Sequence, residues 1–287
     1  MGKKWDSKRL LILIPLIFMS FFFLWPILKI IQISFAGEKF IDLTFLLDVF
    51  KTPLYLKVIL NTLWISFLVT LNTLIIGVPI AYLLFQSEGL KFRLVFTIVI
   101  MSLWLSILIR SYAWTLILQR EGLLSNLLYH LNIISQPQSF MFSKFAVVLG
   151  MTHILLPYMI FIIWAVLHSD IKWFSKVAYS FGASKTIFLF KVFFPLSRNA
   201  ILSGSILVYL LSVGFFITPA LLGGGNSGTI MISMLIEEQV NTFANWQMGS
   251  AISFLLLVIV FFILGIFLSI KKFRINLYNL FYGHASK

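Results

Sequence analysis

The chain has no cysteine, which excludes a disulfide framework, a thiolate metal site and a cysteine nucleophile. Charge is scarce too: 11% of the 287 residues are Asp, Glu, Lys or Arg, against about 25% in a soluble domain. Only nine residues are acidic, and none falls inside a long apolar stretch. That argues against an ion-coupled secondary carrier, whose coupling groups sit at membrane depth. His130, His153, His168 and His284 are scattered, so the sequence implies no metal site and no Ser/His/Asp arrangement. No phosphate loop is complete either. Residues 223–228 lack a lysine, and Gly182-Ala183-Ser184-Lys185-Thr186 lacks the leading glycine and the Gly-Lys pair. The sequence therefore implies no catalytic residue, no cofactor and no ATPase site of its own.

What the chain has in abundance is apolar length. Hydrophobic residues make up 60% of it, and its mean hydropathy is +1.02. Stretches long enough for the roughly 20 residues a bilayer demands lie at 10–35, 58–85, 94–118, 145–167, 200–222 and 248–270. The third is short up to Ile109 and borrows residues 111–118 beyond Arg110. These predict an all-α, polytopic membrane protein of about six helices forming one domain, residues 1–287. Lys3, Lys4, Lys8 and Arg9 precede a first stretch too long for a signal peptide, so it reads as an uncleaved helix.

The net charge of +13 acquires meaning from its placement. With the amino terminus inside, four Lys and Arg precede the first span, two lie in 86–93, five in 168–198 and four in the tail, so fifteen of 22 are cytoplasmic. Both termini are then cytoplasmic, as the positive-inside rule expects. Basicity is thus a topology signal, and no nucleic-acid partner is implied.

The inner segment 168–198 is the most informative. Ile171, Phe174, Ala178 and Phe181 recur at helical spacing, with Lys172, Lys176 and Tyr179 on the other face. Gly182 breaks that helix, Ser184 can cap a second from Lys185, and Pro195 stops or kinks it before the fifth span. Helix, bend, helix makes a docking knuckle; an interfacial helix on anionic lipid would have the same pattern.

Lys176-Val177-Ala178, Gly182-Ala183-Ser184 and Val192-Phe193-Phe194-Pro195 resemble the EAA loop of binding-protein-dependent ABC permeases. Arg110-Ser111-Tyr112-Ala113-Trp114, residues 214–224 (GFFITPALLGG), Asn61-Thr62-Leu63 and Asn245-Trp246-Gln247-Met248-Gly249 resemble the spermidine/putrescine branch. The resemblance covers residues 55 to 268. It implies a MetI-like bundle in the bacterial inner membrane, set in lipid. Its partners would be a second permease subunit, two cytoplasmic ATP-binding subunits and an extracytoplasmic substrate-binding protein. Lys176, Val177, Ala178, Gly182, Ala183 and Pro195 would form the ATPase-docking loop. That family has an acid and an alanine where Lys176 and Val177 stand. The branch resemblance implies a polyamine, spermidine or putrescine, as the solute, while branches for iron, sulfate and other small solutes share the loop.

Polar stripes suggest a route through the bundle: Thr62, Ser66, Thr70, Thr73 and Gly77 on the second span, and Ser205, Tyr209 and Ser212 on the fifth. Helix packing would also explain them. Tyr112, Trp114 and Phe215 fall near the outer mouth, and Glu237 and Glu238 in the last outer segment could attract ammonium groups or stand solvated. Arg110 is expected to snorkel or pair with a carboxylate, and His153 to act as a packing hydrogen bonder.

Overall fold

The computed structural model describes residues 7–36, 42–225 and 228–269, with only the backbone given for 7–12 and 166–173. Among these residues twelve α-helices follow one another: α1 (Ser7–Ser34), α2 (Thr44–Lys51), α3 (Pro53–Gln86), α4 (Gly89–Trp104), α5 (Ile107–Leu118), α6 (Leu123–His130), α7 (Lys144–Ser180), α8 (Lys185–Phe188), α9 (Phe194–Val213), α10 (Ile217–Gly223), α11 (Ile232–Glu237) and α12 (Trp246–Ser269). Among the described residues there is no strand. Among the described residues five helical stretches are long and apolar enough to cross a bilayer, up to six if a bent pair is counted as one span. In hydrocarbon every backbone polar group must bond within its own segment, which leaves helices as the solution for apolar runs of this length.

The third expected span is corrected. Residues 94–118 are not one helix: α4 ends at Trp104, and the path bends by 100° before the chain continues through α5. At 16 residues, α4 is about 24 Å long, short of the roughly 30 Å of hydrocarbon. Leu105 and Ser106 both take ψ near 135°, and the Ser106 hydroxyl caps the new start by accepting from Leu108 N at 3.3 Å. The fifth expected span also ends early. α9 stops at Val213, Gly214 caps it, and residues 217–223 form α10. The fourth runs long, because α7 continues for 37 residues, about 55 Å, carrying the inner segment's first helix as an unbroken extension.

The chain divides into two compact units. One comprises Met1–Leu56 and Leu235–Ile259. In it α1 leaves Ile14, Phe18 and Phe22 more than 60% exposed, while Phe35 packs edge-on against Phe254 at 5.3 Å. The other comprises Lys57–Met234 and Val260–Lys287 and holds the larger core. Its centre is the buried face of α7, with Val147, Met151, Leu155, Met159 and Ile163. Met159 lies between two glycines, close to where a Cβ on Gly77 of α3 or Gly204 of α9 would be.

Candidate functional site: the α7–α9 knuckle

α7 closes with its last carbonyls satisfied. Gly182 has φ +78°, its N–H donates to Tyr179 O, and Ala183 N–H reaches back to Ala178 O at 3.1 Å. This is a Schellman stop, which needs a left-handed residue. Nothing lies within 4 Å of where a Cβ on Gly182 would sit, so backbone conformation, not space, favours glycine there. Ser184 Oγ then accepts from Ile187 N at 3.3 Å and starts the single turn of α8. A π-helical turn over Leu189–Phe193 leads into α9, with Pro195 in its first turn, where a missing N–H leaves no bond unmade. The helix runs on past Pro195, and residues 185–213 form one stretch long enough to cross a bilayer.

An aromatic anchor fastens the knuckle from below. Phe188 and Phe193 are fully buried; Phe188 stacks on Phe85 at 6.3 Å and tilts against Tyr179 at 5.3 Å, and Phe193 meets Tyr82 edge-on at 4.7 Å. Such pairs add about 0.5 to 1.5 kcal/mol each beyond area burial. Gln86 Nε2 donates to the Tyr82 hydroxyl and, at 3.4 Å, to that of Tyr179. On the other side Phe181 is 88% exposed, with Ile187 and Phe190 also exposed. Lys176 is exposed; Val177, Ala178 and Ala183 are half-buried. Phe181, Ile187 and Phe190 thus form an exposed apolar knob on a buried aromatic base, beyond the membrane-length part of α7.

Ser205 and Tyr209 share with Thr70 a cavity of about 470 Å³ whose other walls are apolar, and the Tyr209 hydroxyl donates to Leu63 O at 3.4 Å. Ser212 is fully buried without a hydrogen-bond partner. Tyr112 is half-exposed, whereas Trp114 donates its Nε1–H to His153 Nδ1 at 3.2 Å. The Phe215 carbonyl accepts from Ser233 Oγ. Glu237 is exposed and accepts from Asn241 Nδ2 at 3.3 Å; Glu238 is half-buried, and both belong to the other compact unit. On α3, Thr62, Ser66, Thr73 and Gly77 are buried, with Thr62 Oγ1 accepting from Ile232 N, so this stripe packs within the chain.

Arg110 is a second correction. It is 4% exposed, and Nη1 donates to Ile154 O at 3.4 Å while Nε has no partner. Neither snorkelling nor a carboxylate accounts for it among the described residues; a carbonyl of α7 does.

No family model matches the chain. Comparison with individual proteins is more informative. Over 240 residues the chain is 30% identical to the spermidine/putrescine transport system permease protein PotB of Salmonella typhimurium (strain SL1344), covering 82% of this chain and 83% of that one. The chain belongs to this family of ABC transporter permeases. The permease is also 28% identical over 275 residues to PotB of Haemophilus influenzae (strain ATCC 51907 / DSM 11121 / KW20 / Rd), covering 93% and 96% of the two chains. Its fold is that of a chain in the crystal structure of a bacterial alginate ABC transporter in complex with alginate pentasaccharide-bound periplasmic protein, with TM-score 0.77, 17% identity and coverage of 94% and 96%. It is thus a multi-pass inner-membrane subunit of an ABC importer, a transporter component and not an enzyme. What sequence reading missed in the permease is the anchor. Tyr82 and Phe85 lie some ninety residues before Tyr179, and two apolar residues at the end of a span carry no local sign of a distant partner.

Proposed function

We propose that the permease moves a polyamine, spermidine or putrescine, inward, driven by ATP hydrolysed in trans. It would work with a second permease subunit, two ATP-binding subunits and an extracytoplasmic binding protein. Both termini are then cytoplasmic, and the α7–α9 knuckle seats in the ATP-binding subunit. The observation that carries this reading is the exposed apolar knob at Phe181, Ile187 and Phe190, founded on buried Phe188 and Phe193, in a chain similar to polyamine permeases over 82% of its length. Glu237, Glu238, Tyr112, Trp114, Ser205, Tyr209, Ser212 and Phe215 are the candidate route residues. Carboxylates and ring faces suit ammonium groups, at about 0.5 to 2 kcal/mol per ring.

The test is reconstitution with the second permease subunit, the ATP-binding subunit and the binding protein of the same importer, followed by labelled spermidine and sulfate uptake. Polyamine uptake is expected to require ATP and to vanish on deleting residues 176–185, with membrane insertion intact. Glu237→Gln with Glu238→Gln is expected to raise the KM while assembly is unchanged. Retention of the ATPase by the deletion variant would overturn the docking assignment, anion uptake the polyamine assignment, and an unmoved KM the route role of the two acids.

A further inference from the structure

We propose that the cleft between the α3–α4 turn and the α7–α8 corner receives an acidic side chain of the ATP-binding subunit, so that this contact has its cation on the permease. The inference rests on the docking reading above and adds to it a second loop and a polarity. The cleft holds about 320 Å³ and is lined by Gln86, Glu88, Ser175, Lys176, Tyr179 and Lys185. Two ammonium groups face one carboxylate, and that carboxylate, Glu88, already has an interaction within the chain. Lys176 and Lys185 are both exposed, one on the last turns of α7 and the other opening α8, so the Gly182 stop sets their spacing. The floor is rigid, because Gln86 Nε2 bonds both Tyr82 and Tyr179. Among the described residues lining it, the cleft has two ammonium groups to one carboxylate, with hydroxyls beside them, and the exposed Phe181 lies between the two lysines in the sequence.

That arrangement suits a carboxylate. An apolar knob contributes affinity, while an adjoining charged cleft fixes register and rejects like-charged surfaces. A cytosolic protein seated on Phe181 must cover the cleft, since Lys176 and Lys185 lie within five residues of it. An acid on that protein would meet two lysines; a base would meet repulsion.

The experiment uses the full importer in nanodiscs, reading retention of the ATP-binding subunit on affinity-captured permease across a salt series. Lys176→Glu with Lys185→Glu is expected to lower retention at 150 mM salt by about tenfold or more and to flatten its salt dependence. Lys176→Arg with Lys185→Arg is expected to retain wild-type binding, and an Asp or Glu to Lys change on the ATP-binding subunit to restore the double-Glu variant. Unchanged retention by the double-Glu variant, with loss in Phe181→Ala, would overturn the cleft while leaving the docking reading standing. Unchanged retention in both would overturn the docking reading itself. If wild-type retention falls equally when anionic lipid is replaced by neutral lipid, the cleft holds a lipid headgroup and the proposal fails.

Discussion

At the residue scale the knuckle depends on one backbone conformation. Gly182 has a left-handed φ with open space around it, so a larger side chain meets no neighbour and acts through the backbone alone. Gly182→Val is expected to cost about 1 kcal/mol or more and to uncouple ATP hydrolysis from uptake, whereas Gly182→Asn, which visits this conformation more readily, should keep most activity. Wild-type uptake by the Val variant would show that the stop is dispensable. Gly182 and Ser184 were legible in the sequence because a helix stop and a helix cap are local chemistry. Lys176 was legible as a charge, but its neighbours across the cleft were not, since Gln86 and Glu88 arrive from another helix.

At the element scale the close packing of α3, α7 and α9 runs through Met159. Its Cγ would stand 2.9 Å from a Cβ on Gly77, and its Sδ 2.8 Å from one on Gly204. A thioether chain is flexible and can retreat from either neighbour, but not from both. Gly77→Ala and Gly204→Ala are each expected to cost about 1 kcal/mol, and the pair clearly more than the two single costs together, read as thermal midpoints in detergent. Additive losses would mean that Met159 is not the shared obstacle. Span positions were readable because a bilayer selects on length and hydropathy, and 58–85 and 248–270 fall within one to five residues of α3 and α12 at each end. The break after Trp104 was not: two extended residues with no Gly or Pro leave no compositional mark. Nor was the unbroken run of α7, because polar residues continue a helix as well as apolar ones once it leaves the membrane.

At the scale of the whole molecule, the scarcity of acids and the wealth of apolar length fixed class and fold before any contact was known. They said little of function. Fold likeness at 17% identity shows the fold, and the 30% relatives place the chain among the ABC permeases. Route residues stayed illegible for a physical reason: a serine facing a pore and a serine facing a neighbouring helix have the same spacing, and Ser66 and Ser212 prove fully buried.

Arg110 bears on how the protein is made. Its acceptor, Ile154 O, is 44 residues downstream, so the ribosome needs about 2 to 9 s more to deliver it. Until then a guanidinium entering hydrocarbon alone would cost roughly 2.5 to 3.5 kcal/mol. α5 is therefore expected to wait at the interface during synthesis and to enter only when α7 arrives, a late, cooperative insertion. The chain's lack of cysteine gives a clean probe, because Ser111, fully buried in the finished fold, can be replaced by the sole thiol. In stalled chains with only residues 1–143 outside the ribosome, Ser111→Cys is expected to react with a membrane-impermeant maleimide, and in chains exposed past residue 180 to be protected. Protection at both lengths would show that α5 inserts without waiting for its acceptor.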